Sequence, residues 1–344
     1  MIWERRWHPL LEEWITITSH RNQRPWSGSV IEDADIEIPA YLDDCFLCPG
    51  NDRVSGKRND QYESTYVFDN DHPSYGLEHR PELEGSLDSD GFFKQKSARG
   101  SCRVLCYSPR HDLTLAEMSV GHVVDVVNIW AEQTRIMLLE PETRNVFIFE
   151  NKGKVVGVSN PHPHCQIYAT DFLFKTIERE LHASVKYNIK NGSSLFDDLL
   201  LAEEEDGRRI IVQNDDCLAF IPYFARYPYE TFIMPKSRVC SISDLDDDAL
   251  IALAETLHEV LVRFDNLWRC SFPYILALHQ VPHDAEGSTD YRFHIQLHPP
   301  LRQPGLQKFL AGAEAGGGNF LNDSAPEDKA AELKALNRTH YKYE

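Results

Sequence analysis

The middle of the chain carries one pattern twice, and that repeat constrains the fold more than any other feature. In the first copy a strand, Arg103-Val104-Leu105-Cys106-Tyr107, runs to Pro109. Ser119 is placed to cap a helix with apolar positions Val123, Val127, Trp130 and Met137, and a strand at Val146–Phe149 leads to His162-Pro163-His164-Cys165-Gln166. In the second copy a strand at Thr231–Met234 runs to Pro235, and Ser243 is the cap candidate for the next helix. That helix sets Leu250, Leu253, Leu257, Leu261 and Phe264 on one face. A strand at Tyr274–Leu278 follows, and the copy closes on Phe293-His294-Ile295-Gln296-Leu297-His298. Pro109 to Pro235, Ser119 to Ser243 and His164 to His294 are offsets of 126, 124 and 130 residues. Three landmarks in one order at nearly one offset predict an internal duplication, each half a set of strands with one crossing helix. A length of 344 residues gives room for both halves and a sizeable core.

The histidine segment carries the chemistry. On an extended backbone alternate side chains share a face, so His162, His164 and Gln166 are expected to point the same way. A neutral imidazole is a nucleophile near neutral pH, and an amide N–H can meet charge growing on a phosphoryl oxygen. The grouping therefore suits transfer at phosphorus.

Charge limits the partners. A formal net charge of −19 argues against nucleic acid, whose phosphates need broad neutralisation, but leaves room for a small phosphorylated ligand. No apolar run is long enough to span a bilayer and the N-terminus lacks the apolar core of a secretion signal, so a cytoplasmic location is expected. The eight cysteines then read as thiols or metal ligands. Cys45-Phe46-Leu47-Cys48 is followed at once by Pro49-Gly50-Asn51, which denies it the helix that a redox C-x-x-C opens. A zinc knuckle fits better, with His111 and His162 as the further ligands of a structural tetrahedron. Pinning His162 through one ring nitrogen would hold its neighbour His164 in place.

A second cluster, Glu180, His279, His294 and Gln296, would form a site for zinc or iron. His294 and Gln296 stand roughly 6–7 Å apart along a strand and converge, whereas His298, roughly 13 Å from His294, does not. Elsewhere, residues 72–93 read as a long surface loop and Glu203–Gly207 as a solvated turn between the halves. Gly316-Gly317-Gly318 reads as a flexible loop, and Ser324-x-x-Glu327 as the cap of a last helix through Ala335.

These motifs together resemble the galactose-1-phosphate uridylyltransferase family of the histidine-triad-like superfamily. The likeness runs from Arg5–Leu10 and Ser19–Trp26 through Cys45–Cys48, Tyr66–Asp71, Lys96–Gly100 and Phe149–Gly153 to Ser159–Gln166. It implies an α+β fold of duplicated histidine-triad-like halves, residues 1–180 and 181–344, with antiparallel-rich half-barrel sheets and crossing helices. It also implies a homodimer and a ping-pong exchange of UMP among UDP-glucose, UDP-galactose and hexose 1-phosphates. His164 would carry the uridylyl group and Gln166 would bond the transferred phosphoryl group. Asn151, Gly157 and Ser159 would lie at the phosphates, and Phe68 and Asn70 at uracil and ribose. Arg21 and Arg24 would bind sugar-phosphate charge, and Lys308 and Glu314 would reach the hexose.

Three positions depart from the family pattern: Gln296 replaces a histidine of the full second metal site, Ala313 an aromatic before Glu314, and Phe320 a polar sugar contact. The alternative within the superfamily is a nucleoside diphosphate-sugar phosphorylase or adenylyltransferase. A histidine-triad hydrolase is disfavoured, because the Gln166 amide cannot transfer a proton where such enzymes place a further histidine.

Overall fold

A computed structural model describes residues 4–19, 38–78, 84–88 and 90–344. A hairpin of β1 (Glu4–His8) and β2 (Glu13–Ile17) opens the chain, followed by β3 (Tyr66–Asp69) and a short hairpin, β4 (Gly85–Ser86) with β5 (Lys94–Gln95). Then come β6 (Gly100–Cys106), α1 (Val120–Leu138), β7 (Asn145–Lys152) and β8 (His164–Thr170). Helices α2 (Lys175–Asn191) and α3 (Leu195–Asp206) lead to β9 (Ile210–Gln213), β10 (Cys217–Phe220) and β11 (Thr231–Pro235). The chain continues through α4 (Asp247–Trp268), β12 (Tyr274–His279) and β13 (His294–His298). A small pair, β14 (Leu301–Gln303) and β15 (Leu306–Gln307), precedes β16 (Leu321–Asn322) and α5 (Pro326–Lys334).

The fold is α+β, built on one nine-stranded sheet in the order β3-β6-β8-β7-β12-β13-β11-β10-β9. All of its neighbouring strands are antiparallel. Outward from the central β7–β12 pair, the succession β7-β8-β6-β3 on one side is matched by β12-β13-β11-β10 on the other. Because β7 and β12 run antiparallel, with Tyr274 opposite Lys152, the two successions are related by a pseudo-two-fold at that junction. The duplication is therefore present in topology as well as in sequence.

The helix of each copy covers the same face. Val123, Val126, Val127 and Trp130 of α1 and Leu250, Leu253, Leu257 and Leu261 of α4 share one buried cluster with Leu105, Ile148, Ile167, Leu276 and Ile295 from the sheet. Strand alternation sends Cys165, Ile167 and Ala169 of β8 into that cluster, and leaves His164 and Gln166 on the opposite, open face. Among the described residues no helix is long and apolar enough to cross a membrane.

Several local expectations give way to neighbouring chemistry. Ser119 caps α1, accepting from the His122 N–H, but Ser243 does not cap α4. The cap is Asp246, whose carboxylate accepts from Ala249 N at 2.9 Å and better suits the positive helix end. Glu203 to Asp206 are not a solvated turn: they finish α3, and buried Glu203 pairs with Arg209 at 2.8 Å. Ser324 turns back to Asn322 Oδ1 at 2.8 Å, so the last helix starts at Pro326, and Glu327 is drawn to Arg6 and Arg209. Residues Gly312–Gly316 form a single π-helical turn reaching into the glycine run. Part of the 72–93 segment pairs as β4 with β5.

Candidate active site

The C-x-x-C turn opens no helix. Cys48 N bonds Cys45 O at 3.1 Å, Asn51 N bonds Cys48 O at 3.3 Å, and Gly50 takes φ +73° with the Gln61 side chain where a Cβ would stand. This turn brings both thiols against His111, from the loop after β6, and His162, from the bend before β8. All four are buried, and their ligand atoms lie within 4.8 Å of one another. Cys48 Sγ is 3.7 Å from His111 Nδ1 and 3.6 Å from His162 Nδ1. His162 Nε2 donates to the Ser108 carbonyl at 2.9 Å, so the Nδ1 lone pair faces the sulfurs. Asn160 Nδ2, at 3.4 Å, donates to Cys45 Sγ. Burial pushes the Cys48 thiol up to about 11 and the His162 imidazolium down to about 4. Such a group favours a bound dication, which would offset the thiolate charge that burial penalises. The donor set, two sulfurs and two neutral imidazoles, fits a tetrahedral metal ion.

His162 therefore does not share a strand face with His164 and Gln166. Pro163 has no N–H for the ladder, and the pairing of β8 with β6 begins at His164, opposite Cys106. His162 turns into the metal group instead. The link between the two histidines survives by another route. His164 Nδ1 donates to the His162 carbonyl at 2.8 Å, so the residue whose ring faces the two thiols also orients the next imidazole. Burial lowers the His164 pKa, disfavouring the charged imidazolium.

His164 stands between two recesses. One, of about 30 Å³, is lined by Phe149, Asn151, Gly157, Ser159 and Gln166. The other, of about 230 Å³, is lined by Phe46, Arg53, Phe68, Asn70, Ser159 and Gln166 among others. With Nδ1 turned to the backbone, Nε2 is the ring nitrogen left for an incoming ligand. Gln166 is oriented just as firmly. Its Oε1 accepts from the Tyr168 hydroxyl at 2.9 Å and from Asn70 Nδ2 at 3.3 Å, which leaves the amide N–H groups as the part that can meet an anion.

Six of the residues expected at phosphate and nucleoside, Phe68, Asn70, Asn151, Gly157, Ser159 and Gln166, thus gather around His164. Lys308 and Glu314 do not line either recess. They pair with each other at 3.1 Å, beneath Tyr227. Phe320 stacks under Arg226 at 5.1 Å. Arg21 and Arg24 lie outside the described residues. Three further contributors were not foreseen. Tyr168 holds Gln166, and its place two residues along the same strand was the available signal. Tyr62, whose hydroxyl donates to Leu47 O at 2.6 Å and lies 3.1 Å from His162 Nε2, backs the metal group. Arg53 lies over the Phe68 ring at 4.4 Å.

Comparison with known proteins places this geometry. A family model described as the N-terminal domain of galactose-1-phosphate uridyl transferase matches residues 2–173, and its C-terminal counterpart matches residues 180–344. The galactose-1-phosphate uridylyltransferase of Haemophilus influenzae is 38% identical over 339 residues, covering 98% of this chain and 95% of that protein. The Saccharomyces cerevisiae protein of the same name is 35% identical over 350 residues, covering 98% and 95%. A solved uridylyltransferase structure is 29% identical with a TM-score of 0.76, covering 96% of this chain and 97% of that one. An ADP-glucose phosphorylase from Arabidopsis thaliana shares the fold, with a TM-score of 0.77 at 20% identity, covering 98% and 99%. The chain belongs to the galactose-1-phosphate uridyl transferase family, an enzyme family of nucleotidyl transfer.

Proposed function

We propose that this chain exchanges a uridylyl group between UDP-glucose and galactose 1-phosphate, carrying it in transit on His164 Nε2. The observation that carries the reading is the pairing of His164, whose Nδ1 is held by a backbone carbonyl, with Gln166, whose oxygen is held by two donors. The names of the Haemophilus influenzae and Saccharomyces cerevisiae relatives support the choice of sugar and nucleotide.

In the first half-reaction Nε2 bonds to the α-phosphorus as the bond to the glucose 1-phosphate oxygen breaks. In the second, a phosphate oxygen of galactose 1-phosphate bonds to phosphorus and the P–N bond breaks. The His164 ring gains positive charge in the first step, and its Nδ1–H already donates to the His162 carbonyl at 2.8 Å. Gln166 N–H groups, with Asn151 and Ser159, would meet the non-bridging oxygens. The two sugar phosphates are nearly equal in phosphoryl potential, so a covalent carrier conserves what attack by water would lose. Positioning and charge stabilisation then do most of the catalysis.

Zinc is the metal that suits Cys45, Cys48, His111 and His162, and when bound it would cross-link the turn to the segment that orients His164. The chain would act as a homodimer. Lys308 and Glu314 lie away from His164 within one chain, so their contact with a hexose would come from a second copy.

A chase experiment tests the acceptor. Enzyme loaded with UDP-glucose and freed of excess substrate is offered galactose 1-phosphate, inorganic phosphate or buffer. UDP-galactose formed only with the sugar phosphate is expected. Faster release of UDP with inorganic phosphate would make the protein a phosphorylase instead.

A further inference from the structure

The second cluster, where α2 meets β12 and β13, differs in kind from the first. Glu180, His279, His294 and Gln296 are 0–4% exposed, and the ligand atoms of Glu180, His279 and His294 lie within 4.8 Å of one another. Proximity alone would admit an ion. The acceptor atoms of Glu180 and His294, however, are already occupied. Glu180 Oε2 accepts from His279 Nδ1 and from the Tyr291 hydroxyl, both at 2.8 Å. Glu180 Oε1 accepts from the Gln296 amide nitrogen at 2.8 Å. That same nitrogen lies 2.9 Å from His294 Nε2, while His294 Nδ1 donates to the Arg292 carbonyl at 3.0 Å.

The proton positions follow from the partners. A carbonyl oxygen can only accept, so His294 carries its proton on Nδ1 and offers a lone pair at Nε2. Turning the Gln296 amide would set its oxygen against the Glu180 carboxylate, so its nitrogen must face both acceptors. No polar side-chain atom of Glu180, Tyr291, His294 or Gln296 is buried without a partner. The Cys/His group contrasts with this. There the sulfur and ring nitrogen meet only at 3.6–3.7 Å, and His111 Nε2 is buried with no partner.

We propose that the Gln296 amide stands in this chain where a second metal ion would sit, joining Glu180 of α2 to His294 of β13 by hydrogen bonds. The chain would accordingly hold one metal ion, in the Cys/His group. An ion entering the second cluster would have to expel an amide nitrogen that satisfies two buried acceptors. From Gln296 itself the ion would gain only a neutral amide oxygen, a poor partner for zinc or iron beside imidazole. Glu180, His279 and His294 are of metal-ligating types, but bonded as they are to one another, to Tyr291 and to Gln296, they do not fit a metal.

Metal analysis by mass spectrometry on protein grown with zinc and iron both supplied, together with melting curves, tests this. The wild type is expected to hold one metal equivalent per chain. Gln296→His puts a third imidazole on the cluster and is expected to gain a second equivalent. Gln296→Met, of similar length but without donors, is expected to keep the wild-type count and melt lower. Two equivalents in the wild type, one of them lost in His294→Ala, would overturn the proposal. So would a Gln296→His protein that folds and gains no metal.

Discussion

Changing His164 to alanine should lower uridylyl exchange by at least about 10⁴-fold, the scale on which an enzyme feels the loss of its nucleophile. No neighbour can replace the ring. Gln166 is an amide with no nucleophilic nitrogen at neutral pH, and Cys165, the next residue along the strand, faces the helix-covered core and is 1% exposed. Burial also pushes the Cys165 thiol up to about 12, which keeps it protonated. The same substitution should leave metal content and melting temperature near their wild-type values, because the His164 ring is half-buried on the open face of the sheet and is not in the Cys/His group. Steady-state exchange assays beside metal analysis and calorimetry separate these effects. Residual exchange within about tenfold of wild type would remove His164 from the mechanism.

The second large effect is expected at Cys45. Replacing it by serine leaves three ligands and a hard hydroxyl where a soft thiolate stood, so the metal should be lost. The structural cost is large because the turn has little else to hold it. Cys45, Leu47 and Cys48 belong to a small cluster with Tyr62, Val104 and Cys106, separate from the main cores. Apparent binding free energies of structural zinc are about 10–16 kcal/mol in small domains. Even a loss of about 4 kcal/mol would lower the melting temperature by roughly 5–6 °C, at about 2.1 cal/mol/K of unfolding entropy per residue over 344 residues. Activity should fall too, since the His162 carbonyl that orients His164 is anchored by the same group. Cys45→Ser that melts normally and retains a full metal equivalent would contradict the structural role. Cys270, only partly buried and far along the chain from the Cys45, Cys48, His111 and His162 group, is the natural control for loss of a thiol.

Much of this was legible before any coordinates, and the reasons are specific. The leucine face of α4 announces a core helix because its 3.6-residue period has one structural meaning, and every one of those leucines is buried. The C-x-x-C turn was readable because Pro49 and Gly50 forbid the competing helix. What the sequence does not show is which partner a polar side chain takes in the fold. Ser324 looked like a helix cap, but Asn322 takes its hydroxyl and Arg6, 321 residues from Glu327, takes the carboxylate. Glu203 looked solvated, but Arg209 neutralises it in the interior. Helices α2 and α3 bury their apolar sides against β10, β11 and the β1–β2 hairpin, elements that their own sequences do not name. The two-residue strand period does not reach His162, because the ladder begins only after Pro163, at His164.

The central claim is that one imidazole carries the nucleotide. Intact-protein mass after brief exposure to UDP-glucose tests it most directly. The account predicts a mass gain equal to one uridylyl group on the wild type, discharged by galactose 1-phosphate, and none on His164→Ala. An unmodified wild type that still turns over, or an undiminished adduct on His164→Ala, would contradict it.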